Sequence, residues 1–170
     1  MEKQKIIFSI PELGERFSIT KYIILYFLKN RYKFYDDVEI GSVYGSYPCI
    51  WNGGRVLDPY EMENNIIERD ISFLNSHNIA ARYTFTNLSL TEDDLKDNFG
   101  NFILDETVKY QTIKNDVNTA TEIMKNYVET KYPQLNTVCS TTMCLNTIEK
   151  INKASENHLV VPDYKMNNQF

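Results

Sequence analysis

Short apolar runs alternate with longer stretches of helical periodicity along most of the chain. KIIFSI (Lys5–Ile10) reads as a buried strand, stopped by Pro11. After Ser18 the apolar positions change to helical spacing, with Ile19, Tyr22, Ile23, Tyr26 and Phe27 on one predicted face. VEIGSVY (Val38–Tyr44) is the second predicted strand. A second helix is expected from the N-cap Asp58, with Pro59 at the first helical position and Met62, Ile66, Ile67, Ile71 and Leu74 at helical spacing. IAARYTF (Ile79–Phe85) is the third strand. Thr91 with Asp94 resembles a capping box opening a helix through Leu95, Phe99 and Ile103. TVKYQTI, residues 107–113, is read as a fourth strand. Asp116 is read as the cap of a helix carrying Val117, Ala120, Met124 and Tyr127. LNTVCS (Leu135–Ser140) is the fifth strand, a short helix through Leu145, Ile148 and Ile151 follows, and HLVVP (His158–Pro162) is the sixth strand.

Six strands interleaved with helices predict a single α/β domain over residues 1–170, with a parallel six-stranded sheet built from βα repeats. Two architectures fit: a partial TIM-barrel-like sheet, or an open doubly wound one. Both place ligands at the carboxyl ends of their strands. That rule sorts the polar residues. His77 and His158 precede strands and fall at the opposite end. Candidate ligand-binding residues follow the strands: Glu12 after the first; Tyr44, Trp51 and Arg55 after the second; Asn87 after the third; Ser140 and Thr141 after the fifth; Asp163 and Asn167 after the sixth. Gln111 and Thr112 would follow the fourth.

The densest part of this rim is GSVYGSYPCIWNGGR, residues 41–55, with four of the six glycines and the single Trp. Arg55 would grip a carboxylate or phosphate with Trp51 as an apolar wall, or the loop is a connection whose Trp plugs the end of the sheet. Neither GxxxxGK[ST] nor GxGxxG occurs, which argues against a nucleotide phosphate loop. No nucleophile-and-base pair stands out. Glu39 and Arg82, charged and inside strands, are expected to pair across neighbouring strands.

Charge and cysteine usage narrow the function classes. The net charge of −5 argues against direct nucleic-acid binding, which needs clustered Lys and Arg. Three cysteines without a CxxC give neither a disulfide framework nor a metal-ligand spacing, so no cofactor or metal is assigned and a cytoplasmic location is expected. MEKQKIIFSIPE lacks a signal-peptide core, and YIILYFL is about a third of the ~20 residues a membrane span needs, so no membrane partner is expected.

FSIPEL, IGSVYGSYPCIWNGGR, ARYTFTN, CSTT and VVPDYKMNN resemble a bacterial family of (βα)-barrel proteins that is distantly similar to the collagenase-like peptidase family. The resemblance implies a (βα) barrel ending after its sixth strand. It places Ser140 to Thr142 and Asp163 to Asn167 where such barrels keep their site residues. It does not carry over the iron–sulfur cluster that some members hold. A barrel short of two strands has exposed sheet edges, so a homo-oligomer or a protein partner through those edges is expected. Two functions stay open: an enzyme or enzyme remnant binding a small polar or peptide-like ligand at the strand ends, and a non-catalytic acidic inhibitor of another protein, for example a basic nucleic-acid-targeting defence enzyme.

Overall fold

The computed structural model describes residues 5–14, 16–53, 65–156 and 159–166. Five parallel strands alternate with helices: β1 (Ile6–Gly14), α1 (Phe17–Lys29), β2 (Val38–Ser46), α2 (Ile66–Ser76), β3 (Ala80–Phe85), α3 (Asn98–Tyr110), β4 (Asp116–Thr119), α4 (Glu122–Lys131) and β5 (Asn136–Cys139). After α5 (Ile148–Ser155), a two-residue segment, β6 (Leu159–Val160), pairs in parallel with Val138 and Cys139. Asp58, Pro59 and Met62 of the expected second helix start lie outside the described residues, as does His158.

The strands lie side by side in chain order. A doubly wound sheet requires a reversal of that order, and there is none here. Sequential order with right-handed crossovers puts every helix on the same face of the sheet. The core agrees. Val43, Ala81, Tyr83, Phe85 and Val117 from that face are buried together with Ile24, Ile67, Ile71, Leu74, Ile103, Leu104, Met124 and Val128 from α1 to α4. Burial of this apolar set is the main source of stability. Among the described residues no helix is long and apolar enough to cross a membrane.

Five sequence expectations change. TVKYQTI is not a strand: Thr107 to Tyr110 are the last turn of α3, where Thr107 is buried and hydrogen-bonds the Ile103 carbonyl at 2.7 Å. The fourth strand is instead DVNT, and Asp116 is its first residue rather than a helix cap. The cap of α4 is Thr121, whose hydroxyl accepts from the Met124 amide at 3.2 Å. Gln111 and Thr112 therefore precede β4 and sit at the amino-terminal end of the sheet. Pro11 does not stop β1, which runs on to Gly14 through an irregularity between Ile10 and Leu13. In α1 the core takes Phe17, Thr20, Ile24 and Phe27, leaving Ile19, Tyr22, Ile23 and Tyr26 facing solvent.

Candidate functional site

The face of the sheet away from the helices is polar. Residues paired in register on parallel strands point to the same face. Tyr44, Arg82, Asp116 and Asn136 form one such row across β2 to β5. Ser9 and Ser42 form a row on its amino-terminal side, their hydroxyls 2.6 Å apart. Thr84 and Asn118 begin the next row toward the carboxyl ends. Ser46 falls in this row too, two residues beyond Tyr44, and is buried.

The middle row is locked. Arg82 donates from Nε at 3.0 Å and Nη2 at 2.8 Å to Oδ2 of Asp116, and from Nη1 at 3.0 Å to the Ser9 hydroxyl. The guanidinium thus passes over the small Ser42 to tie β3 to β1. Oδ1 of Asp116 accepts from the Asn136 amide at 3.1 Å. Both carboxylate oxygens are engaged, so Asp116 is a scaffold group rather than a free base. The expected partner of Arg82, Glu39, instead bonds Lys5 at 2.7 Å on the surface. The reason is register. Tyr44 lies beside Arg82, and Glu39 is five residues earlier in β2, about 16 Å at strand rise.

The outer row is incomplete. Ser46 Oγ and Asn118 Oδ1 are buried and have no hydrogen-bond partner among the described residues. Between them Thr84 donates to the Gly45 carbonyl at 3.1 Å. Native structures rarely leave buried polar atoms unmatched, since each costs about 1–3 kcal/mol. Two such atoms flank one threonine near the carboxyl ends of the strands.

The predicted rim residues divide. Tyr44 lies on the polar face, half-buried beside Arg82. Trp51 is fully buried and offers no ligand wall. Its indole donates to the Asp94 carbonyl at 2.7 Å, meets Phe85 and Tyr127 edge-on, and packs on Gly100. Asn87 splices the same loop to the end of β3. Its amide donates to the Ile50 carbonyl at 2.9 Å, and its backbone N–H to the Trp51 carbonyl at 3.0 Å. A Cβ at Gly53 would lie 2.3 Å from the Thr86 carbonyl oxygen, so only glycine permits this splice. The 41–55 stretch is thus a plugging connection as far as Gly53. Arg55 and Asn167 lie outside the described residues.

Ser140 is buried just past β5, where its hydroxyl accepts from the backbone N–H and the hydroxyl of Thr142 at 3.2 and 2.9 Å. Thr141 beside it is exposed. Asp163 takes the Lys165 amide at 2.9 Å and donates its own to the Leu145 carbonyl at 3.2 Å, closing a local turn. Glu12 is exposed with φ of 75° in the β1 irregularity. Ser140 and Asp163 thus bond to nearby backbone, and of the described candidate residues Tyr44 lies in the polar rows.

Sequence reasoning placed Ser46 on the rim after the second strand but missed Ser9, Ser42, Asp116, Asn118 and Asn136. The available signal was alternation. RYTF and DVNT each place a polar residue at every second position, and NTVC adds Asn136 to the same face before the buried Val138. A parallel sheet covered on both faces reads instead as a continuous apolar run.

Two of the three thiols are disfavoured as thiolates. Burial pushes the Cys49 thiol up to about 12 and raises that of Cys139. Among the described residues no three His, Cys, Asp or Glu side chains group as a metal site would require. His77 stacks on Phe73 and approaches its carbonyl at 2.8 Å, in the turn ahead of β3. No family model matches the chain, and neither does any curated protein or solved structure.

Proposed function

We propose that this protein binds a small polar ligand on the helix-free face of its sheet, against Ser46, Thr84 and Asn118 near the carboxyl ends of the strands. The observation that carries the reading is the pair of buried, unmatched atoms, Ser46 Oγ and Asn118 Oδ1, in one row. A carboxamide oxygen only accepts, so the ligand must present an N–H or O–H donor to Asn118; a hydroxyl such as that of Ser46 takes either role. Peptide amides and sugar-like hydroxyls satisfy both. The locked Arg82–Asp116–Asn136 row beneath holds the strands in register and leaves no free carboxylate for acid–base work, so the reading is binding rather than catalysis.

Chain-order pairing and a polar inner face favour treating the sheet as an arc of a (βα) barrel, with the ligand on what would be the barrel's inner side. Three free cysteines fit a reducing, cytoplasmic compartment.

Thermal-shift screening against dipeptides and free sugars tests the proposal. The expected result is a rise in melting temperature for the wild type that Asn118→Ala and Ser46→Ala each abolish. A wild type that responds to neither class overturns the reading, as does a response that survives both substitutions.

A further inference from the structure

Of the nineteen large apolar side chains exposed among the described residues, twelve lie between Ile6 and Tyr35. They belong to β1, α1 and the turn that follows. Ile6, Ile7 and Phe8 are each at least half exposed, as are Ile19 and Tyr22. On α1, Ile19, Tyr22, Ile23 and Tyr26 follow i, i+3, i+4, i+7, the spacing of a helix face made for packing, yet among the described residues no other strand or helix core covers it, and only Lys33 reaches over the Tyr26 ring. β1 is also an edge strand, paired with β2 on one side only. Its nine residues leave a row of backbone donors and acceptors open on the other side.

Size separates this surface from ordinary exposed apolar groups. Seven of the twelve side chains, on the β1 edge and the α1 stripe, are on average about half exposed, and at roughly 200 Å² for a large side chain they offer on the order of 750 Å² of apolar area. The largest patch on a typical monomer is roughly 300–600 Å². A standard interface takes about 800 Å² from each partner.

We infer that this edge is a two-fold interface between two copies of the chain, with β1 pairing antiparallel to β1 and α1 packing on α1. Geometry selects that arrangement. An axis normal to the sheet joins the two β1 edges into one continuous sheet and keeps both sets of helices on the same face. It therefore brings the two α1 stripes side by side. An axis lying in the sheet plane would put the helices on opposite faces and leave both stripes uncovered. The stripe itself carries no charge. Lys21 is on another face of the helix, while Lys29, seven residues after Tyr22, and Lys33, over the Tyr26 ring, lie at the stripe's carboxyl-terminal end, where they stay hydrated at the rim. The polar ligand face lies on the opposite side of the sheet and remains open in the dimer, so the inference is independent of the ligand reading.

Light scattering coupled to size exclusion on the full chain decides it. The wild type is expected at twice the chain mass of 20.0 kDa. Tyr22→Glu with Tyr26→Glu, on the solvent side of α1, is expected to give the monomer mass with an unchanged circular dichroism spectrum. Phe8→Lys on the edge strand is expected to do the same. Leu88→Glu, an exposed apolar residue elsewhere, is expected to leave the dimer intact. A monomeric wild type overturns the inference, and so does a dimer that survives the α1 substitutions. A dimer lost in the α1 variant but kept in Phe8→Lys overturns the strand pairing.

Discussion

Arg82 and Asp116, on neighbouring strands, are joined through a single carboxylate oxygen that accepts from two nitrogens of the guanidinium, at 2.8 and 3.0 Å. Asp116 is only 5% exposed, and its second oxygen is held by Asn136. Three strands thus meet at one carboxylate, and Ser9 brings in a fourth through Arg82.

Replacing Arg82 with Leu removes the cation bonded to the buried Asp116 carboxylate. Stranding a buried charge costs about 3–5 kcal/mol, and the remaining Asn136 bond puts the expected loss at the lower end, about 3 kcal/mol. Urea denaturation measures it. Arg82→Leu with Asp116→Leu should be less destabilised than Arg82→Leu alone, because the stranded charge is gone. A single variant of wild-type stability would show that the pair does not hold the strands.

The pair also shows where reading the sequence stops. β1, β2, β3 and β5 were legible because each contains an apolar run between turn residues. β4 was not. DVNT has one aliphatic residue, and Asp and Asn favour caps and turns over strands. What makes Asp116 a strand residue is Arg82, 34 positions away, and no local window contains both. TVKYQTI looked like a strand because its β-branched and aromatic residues favour extended chain. Its first four residues are helical because Thr107 and Val108 complete the packed face of α3 with Ile103 and Leu104. The site was half legible. The rule that ligands sit at strand ends pointed to the edge where the unmatched Ser46 and Asn118 atoms lie, but the described rim side chains there mostly cap and splice. The unmatched groups are inside the strands, on a face whose polarity shows only once the register is known.

Trp51 makes the second prediction. An exposed helical Gly→Ala substitution gains up to about 1 kcal/mol through helix propensity. At Gly100, inside α3, a Cβ would lie 2.6–2.7 Å from the Trp51 ring, and that ring is held by Asp94, Phe85 and Tyr127. Gly100→Ala should therefore destabilise, by about 1–3 kcal/mol as overpacking does. The fluorescence of Trp51, the single Trp, reports the displacement directly as a red shift. A stabilised variant with unshifted emission would mean that the indole has room to move.

Asp70 on α2 gives a dependence on pH. It is 1% exposed and accepts from the Tyr47 hydroxyl at 2.7 Å. Burial raises its pKa above the ordinary 3.8, opposed by the Tyr47 hydrogen bond and by Arg69. The folded state then holds this proton more tightly than the unfolded state. The contribution is fully present below pH 3.8 and is lost as pH rises through the raised folded value. Asn keeps an acceptor for Tyr47 and does not ionise. Asp70→Asn should gain on the wild type as pH rises from about 4 toward neutrality. Melting temperatures of both proteins across that range test this, and a constant difference would mean that Asp70 does not titrate there.

Asn118 joins stability to function. Its buried, unmatched oxygen costs the free protein about 1–3 kcal/mol, a cost that a ligand donor would remove. Asn118→Val deletes the unmatched group and keeps a β-branched side chain suited to a strand. The expected outcome is a free protein stabilised by about 1 kcal/mol in urea denaturation, together with loss of the ligand-induced rise in melting temperature. Only a binding group predicts both changes at once. A structural amide predicts lower stability on substitution, so a destabilised Asn118→Val would assign this residue to the scaffold and move the ligand off the row it shares with Thr84.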